Sequence, residues 1–144
     1  DTDRDRKVET GEKTEVSIRG LHILLAEDNE LNMEIAEFIL RNEGAEVTKA
    51  WNGQEAVELF RKSEPGEFDV ILMDIMMPVM NGYEAAKMIR TLDRDDAKAI
   101  PIIAMTANAF TEDRIRAKEA GMNEHVAKPV DVELLVQVIH KLVG

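Results

Sequence analysis

The stretch Phe68-Asp69-Val70-Ile71-Leu72-Met73-Asp74 (FDVILMD, 68–74) decides the fold. Four consecutive apolar residues, Val70 to Met73, run straight into an acid with no polar alternation. A strand of that kind is buried on both faces, as in a parallel sheet covered by helices. LHILLAED (21–28) repeats the pattern upstream and again ends in acids. Between and beyond these two runs, apolar strands alternate with segments of helical period. ELNMEIAEFILRNEG (30–44) predicts a helix closed by Gly44, AEVTKA (45–50) a strand, Asn52-Gly53 a turn and QEAVELFRKS (54–63) a helix. YEAAKMIRTL (83–92) predicts a third helix and DRDDAKAIP (93–101) a charged loop. IIAMTA (102–107) is a strand, and Thr111 caps a helix running to about Ala120. NEHVAK (123–128) is the last strand, and Asp131 caps a helix through Leu142. Five strictly alternating strand–helix units predict an α/β, doubly wound (βα)5 sheet with right-handed crossovers.

Composition bounds the function. The chain has 144 residues, 44% of them hydrophobic, and a mean hydropathy of -0.26, enough for one core. No run approaches the roughly 18 apolar residues of a transmembrane helix, so no membrane contact is expected. The 18 basic and 29 acidic residues give a net charge of -11, and with five bases against six acids in residues 1–20 nearly all of it lies beyond them. Such a surface repels phosphate backbones, so direct nucleic-acid binding is not expected. Cysteine is absent, which removes disulfides, thiol nucleophiles and Cys-ligated metals. Residues 1–19, rich in charge and without apolar period, predict a flexible linker or expression remnant, with one folded domain over 20–144.

In an open parallel sheet, ligands bind beyond the carboxyl ends of the strands. Five groups fall there: Glu27 and Asp28, Asp74, Thr106, and Lys128 followed by Pro129. Taken singly, each has a plain structural reading as a helix cap, a solvated strand end or a surface lysine. Together they fit phosphoryl transfer onto a carboxylate. Three close acids need a counter-charge, and Mg²⁺ accepts a few carboxylates together with water and phosphate oxygens. Asp74, ending the most apolar strand, is the candidate nucleophile.

Residues from about 20 to 143 resemble the receiver (response-regulator) domain of two-component signalling. ILLAEDNELN, DVILMDIMMPVMNGYEA, PIIAMTA and AGMNEHVAKPV carry the resemblance, in order, over nearly the whole folded region. It implies a flavodoxin-like sheet of strand order 2-1-3-4-5 and Asp74 as phosphoacceptor. It implies Mg²⁺ held by Glu27, Asp28, Asp74 and the backbone carbonyl of Met76. Thr106 is then expected to bind a phosphoryl oxygen, Lys128 to pair with the phosphate, and the Lys128-Pro129 bond to be cis. The implied chemistry is self-phosphorylation and self-dephosphorylation. The implied partner is a histidine kinase or histidine phosphotransfer domain, in a cytoplasmic setting that includes the cytoplasmic part of a membrane-bound kinase. The motifs look most like receivers of hybrid sensor histidine kinases, with a stand-alone response regulator as the alternative. A haloacid-dehalogenase-type phosphatase would need an acid where Met76 stands. A degenerate interaction module would lack acids or lysine that are present, and a flavodoxin would need a phosphate loop that EDNELN does not offer.

Several residues modulate this expectation. His125 occupies the position where receivers usually carry an aromatic switch residue; it reads either as a partly exposed strand-end residue or as a pH-sensitive substitute. Met76 and Asn108 are candidates for shielding the site from water. In the first helix, apolar residues cover an arc of roughly 220° at about 100° per residue, more than one sheet face requires. Ala36, Ile39 and Leu40 make the core stripe, leaving Leu31, Ile35 and Phe38 as a candidate partner face.

Overall fold

The computed structural model describes residues 16–107 and 111–143. Five parallel strands form one sheet: β1 (His22–Ala26), β2 (Glu46–Ala50), β3 (Val70–Asp74), β4 (Ile102–Thr106) and β5 (Glu124–Ala127), in the order 2-1-3-4-5. Six helices connect and cover it: α1 (Glu30–Asn42), α2 (Gly53–Lys62), α3 (Gly82–Arg90), α4 (Asp95–Ala99), α5 (Thr111–Glu119) and α6 (Val132–Val143). This is the doubly wound architecture that the alternation predicts, in the flavodoxin-like strand order that the resemblance implies.

Every residue of β3 is buried, as is every residue of β4. Successive side chains point to opposite faces, so each strand feeds two cores. Ile71 and Met73 join Ala56, Val57 and Phe60 of α2 and Ala85, Ala86 and Ile89 of α3. Val70 and Leu72 join Met33, Ala36 and Leu40 of α1 and Leu135, Val136 and Ile139 of α6. Burying one such large apolar side chain contributes about 1.5–3 kcal/mol, so a charge at Leu72 would open the α1–α6 layer.

Three local expectations are corrected. Asn52-Gly53 is not a free turn: Asn52 caps α2, its side-chain oxygen accepting from Glu55 N–H at 2.8 Å. The expected loop 93–101 contains α4, whose Ala97 is fully buried, and bidentate Arg94–Asp96 hydrogen bonds stiffen its entry. Alanine at 97 and 99 favours that helical turn, and a charge count alone hides it. The core stripe of α1 is Met33, Ala36 and Leu40, with Ile39 only partly buried. Gly44 follows the end of α1 at φ 94°, with its N–H donating to Arg41 O, and Asp131 caps α6 by accepting from Leu134 N–H.

Residues 1–15 of the expected linker, and the expected cap at Thr111, lie outside the described residues or side chains. Within the expected linker Ile18 is 1% exposed in the α1–α6 layer, and Gly20 N–H donates to Gly44 O at 2.9 Å. The packed part of the chain therefore begins before residue 20.

Candidate functional site

The register of the sheet assembles the site. β1 pairs with β3 so that Ala26 lies beside Met73, which puts Glu27 next to Asp74. β3 pairs with β4 through Asp74 and Met105, and β4 with β5 through Thr106 and Ala127, which carries the rim on to Lys128. Backbone bonds beyond the strand ends continue the ladder: Glu27 N–H to Ala50 O, Ile75 N–H to Met105 O and Lys128 N–H to Thr106 O.

Glu27 and Asp74 are only 2% and 3% exposed, and Thr106 is buried beside them, while Asp28 is exposed. The half-buried Lys128 ammonium lies 2.9 Å from Glu27 Oε1 and 3.1 Å from Asp74 Oδ1, pairing with both at once. Burial pushes the Asp74 carboxyl up, and repulsion from Glu27 adds to it. Lys128 opposes both, and the net position is about 7. Burial alone would lower the Lys128 ammonium; its bonds to Glu27 and Asp74 outweigh this and raise it.

One ammonium does not neutralise three acids. Carboxylate oxygens of Glu27, Asp28 and Asp74 all lie within 4.8 Å of one another. Ligand oxygens across a Mg²⁺ octahedron stand about 4.2 Å apart, so small side-chain adjustments bring this set to that ion. The donor set is all oxygen, which suits a hard cation. The residues present therefore fit Mg²⁺.

The other expected residues fall into two groups. The Lys128-Pro129 peptide bond is cis, and Met76 stands two residues after Asp74 in the β3–α3 connection with its side chain 77% exposed. Asn108 lies outside the described residues. His125 is half-buried on β5 opposite Ala104, in a groove with Arg114, Ile115 and Lys118, and does not enter the acidic cluster. Leu31, Ile35 and Phe38 are exposed, at 64%, 49% and 70%, although all three are large and apolar. Ile35 also borders a recess it shares with Glu27, Lys128 and Pro129, which joins the exposed flank of α1 to the acidic rim.

One residue of the site escaped the sequence reading. Asn29 caps α1 by accepting from Asn32 N–H at 2.9 Å, and its own N–H donates to Glu27 Oε2 at 3.1 Å. Asparagine just before a helical period is an N-cap signal; its grip on Glu27 is visible only in three dimensions.

The chain belongs to the response regulator receiver domain family, whose pattern matches residues 23–140. Among its relatives, hybrid signal transduction histidine kinase M of Dictyostelium discoideum is 44% identical over 122 residues, covering 84% of this chain and 5% of that protein. The polar-differentiation response regulator DivK of Brucella anthropi is 35% identical, covering 85% of this chain and 95% of DivK. The chain thus spans only a small part of the kinases it matches, and nearly the whole of DivK. A solved structure of a sensor histidine kinase receiver domain from Pseudomonas aeruginosa, with magnesium ion coordinated in its active-site cleft, is 38% identical at a TM-score of 0.78. It covers 87% of this chain and 98% of that one. The receiver domain of Saccharomyces cerevisiae Ssk1, solved with the histidine phosphotransfer protein Ypd1, is 32% identical at a TM-score of 0.77, covering 87% and 90%.

Proposed function

We propose that this receiver domain takes a phosphoryl group from a phosphohistidine onto Asp74, with Mg²⁺ at the acidic cluster, as one step of a phosphorelay within a hybrid sensor histidine kinase. The observation that carries the proposal is the buried Asp74 carboxylate held between Glu27 and the Lys128 ammonium, with Asp28 in the same cluster. Glu27, Asp28 and Asp74 would hold the metal, together with the Met76 carbonyl that the family resemblance adds. Bound there, Mg²⁺ supplies positive charge against the phosphoryl oxygens.

The remaining chemistry belongs to the side chains. An Asp74 carboxylate oxygen attacks phosphorus; the P–O bond forms as the P–N bond of the phosphohistidine breaks, and the electron pair returns to the donor imidazole. Lys128, already 3.1 Å from Asp74, is within reach of an oxygen of the incoming group and offsets its charge. The Thr106 hydroxyl, at the end of the neighbouring strand, would bond a second oxygen. Asn29 keeps Glu27 oriented through its backbone N–H. The exposed Leu31, Ile35 and Phe38 face supports docking of a helical histidine-bearing partner, since the apolar flank adjoins the acidic rim. The Ypd1–Ssk1 complex supports a histidine phosphotransfer protein or kinase domain as that partner.

Among the described residues no helix is long and apolar enough to cross a membrane, and we place the domain in the cytoplasm, attached to its kinase. The 35% identity to the response regulator DivK supports a second reading, a stand-alone regulator acting by protein contact. Incubation with a radiolabelled phosphohistidine phosphotransfer domain tests the proposal. Label should move to the chain and be absent in Asp74→Asn; label that persists in Asp74→Asn would refute it.

A further inference from the structure

The connection that follows Asp74, Ile75 to Asn81, is held at both ends by helix starts that leave no room for a side chain. At one end, Gly82 N–H donates to Ile75 O at 2.9 Å. A Cβ on Gly82 would overlap the Asp74 carbonyl oxygen and stand 2.9 Å from Ile75 Cα. At the other, Gly53 opens α2 and donates its N–H to Met80 O at 3.0 Å. A Cβ on Gly53 would overlap the Met80 carbonyl oxygen, approach its carbonyl carbon to 2.9 Å and reach Asn81 O at 3.0 Å. All of these are backbone atoms, which have no flexible end to swing aside.

Between the two anchors the chain is strained. Val79 has φ 70°, the left-handed region that is costly for a β-branched residue. Its side chain is exposed, so no burial offsets the cost, and the surrounding backbone contacts must impose the conformation. Gly53 does not have a positive φ, so its own backbone does not require glycine, and glycine is among the poorest helix residues. What requires glycine at 53 is the closeness of Met80.

We propose that Gly53 is a positioning residue for the Asp74 site. Its missing side chain lets the start of α2 close on Met80 and hold the strained 75–81 segment, whose first residue directly follows Asp74, in the course that presents Asp74 to Glu27 and Asp28. This inference rests on the reading of that cluster as a Mg²⁺ site. It assigns control of the site to a helix that contributes no side chain to it.

Mg²⁺ affinity, measured by titration calorimetry on the metal-free chain, separates positioning from plain packing. Gly53→Ala should bind Mg²⁺ at least ten-fold more weakly than the unsubstituted chain. Gly66→Ala is the control: Gly66 has φ 81° with open space around it and lies in the connection entering β3, at the opposite end of that strand from Asp74. It should melt lower and bind Mg²⁺ unchanged. The double variant Gly53→Ala/Val79→Gly, in which the segment is freer to move aside, covers the case in which Gly53→Ala alone does not fold. It should fold and retain the weakened affinity. Affinity within two-fold of the unsubstituted chain, in Gly53→Ala or in the double variant, overturns the proposal. Absence of Mg²⁺ binding by the unsubstituted chain would instead refute the reading of the acidic cluster, and the positioning role with it.

Discussion

Replacing Asp74 with asparagine should stabilise the metal-free domain, and by an amount that depends on pH. The folded site raises the Asp74 carboxyl from 3.8 to about 7, through burial first and Glu27 second. The folded state therefore binds this proton more tightly than the unfolded chain does. The cost of ionising Asp74 is absent below about pH 3.8, grows as pH rises through that interval, and is complete above about pH 7. At 1.36 kcal/mol per pH unit, the ceiling is about 4 kcal/mol. Asparagine is neutral at every pH and escapes that cost, but it gives up the charged bond to Lys128 and adds amide donors to a buried site. A net gain of about 1–3 kcal/mol at pH 8 remains, or a rise in Tm of roughly 5–10 °C for a domain of this size. Thermal melts followed by circular dichroism in EDTA at pH 5 and pH 8 measure it. The advantage of Asp74→Asn should shrink by more than half at pH 5. An equal advantage at both pH values, or a variant less stable than the parent at pH 8, would refute the electrostatic account of the site.

Mg²⁺ should stabilise the parent by RT ln(1 + [Mg²⁺]/Kd), about 2.7 kcal/mol at 100 Kd, and Asp28→Asn should remove most of that gain; a Tm indifferent to Mg²⁺ in the parent would contradict the metal site. Lys128→Ala leaves Glu27 and Asp74 without their shared cation, so the metal-free protein should lose about 1–3 kcal/mol at pH 8 and less at pH 4, where Asp74 is protonated, as denaturant melts would report. Leu31→Lys or Phe38→Lys alters only exposed side chains and should slow transfer from a phosphohistidine partner at least ten-fold while leaving labelling by acetyl phosphate nearly intact; equal loss of both would rule out the docking face.

The unbroken apolar runs of β1, β3 and β4 made the sheet legible from sequence, because burial on both faces leaves no polar alternation to mislead. The acids were legible for a related reason: they follow such runs, and strand ends of a parallel sheet share one rim, which brings in Lys128 after the more polar β5 as well. What escaped depends on contacts across the chain. Charge masked α4, whose Ala97 is buried in the cluster that also holds Phe60 of α2 and Ile89 of α3. Helical period identified the exposed flank of α1 correctly but not Met33 as core, since the sheet's course under the helix decides which edge of a wide apolar arc is covered. Sequence placed Lys128 at the rim with no means of showing that it spans Glu27 and Asp74 together. Ile18 read as linker because a single apolar residue among charges has no period, yet the gap between α1 and α6 accepts it.

The central claim, that Asp74 is the phosphoacceptor of a metal-assisted site, is tested most directly by intact-mass measurement after incubation with acetyl phosphate and Mg²⁺. The account predicts one phosphate adduct in the parent chain, and none in Asp74→Asn or in the parent with EDTA. An adduct that survives in Asp74→Asn, or that forms equally well in EDTA, would contradict it.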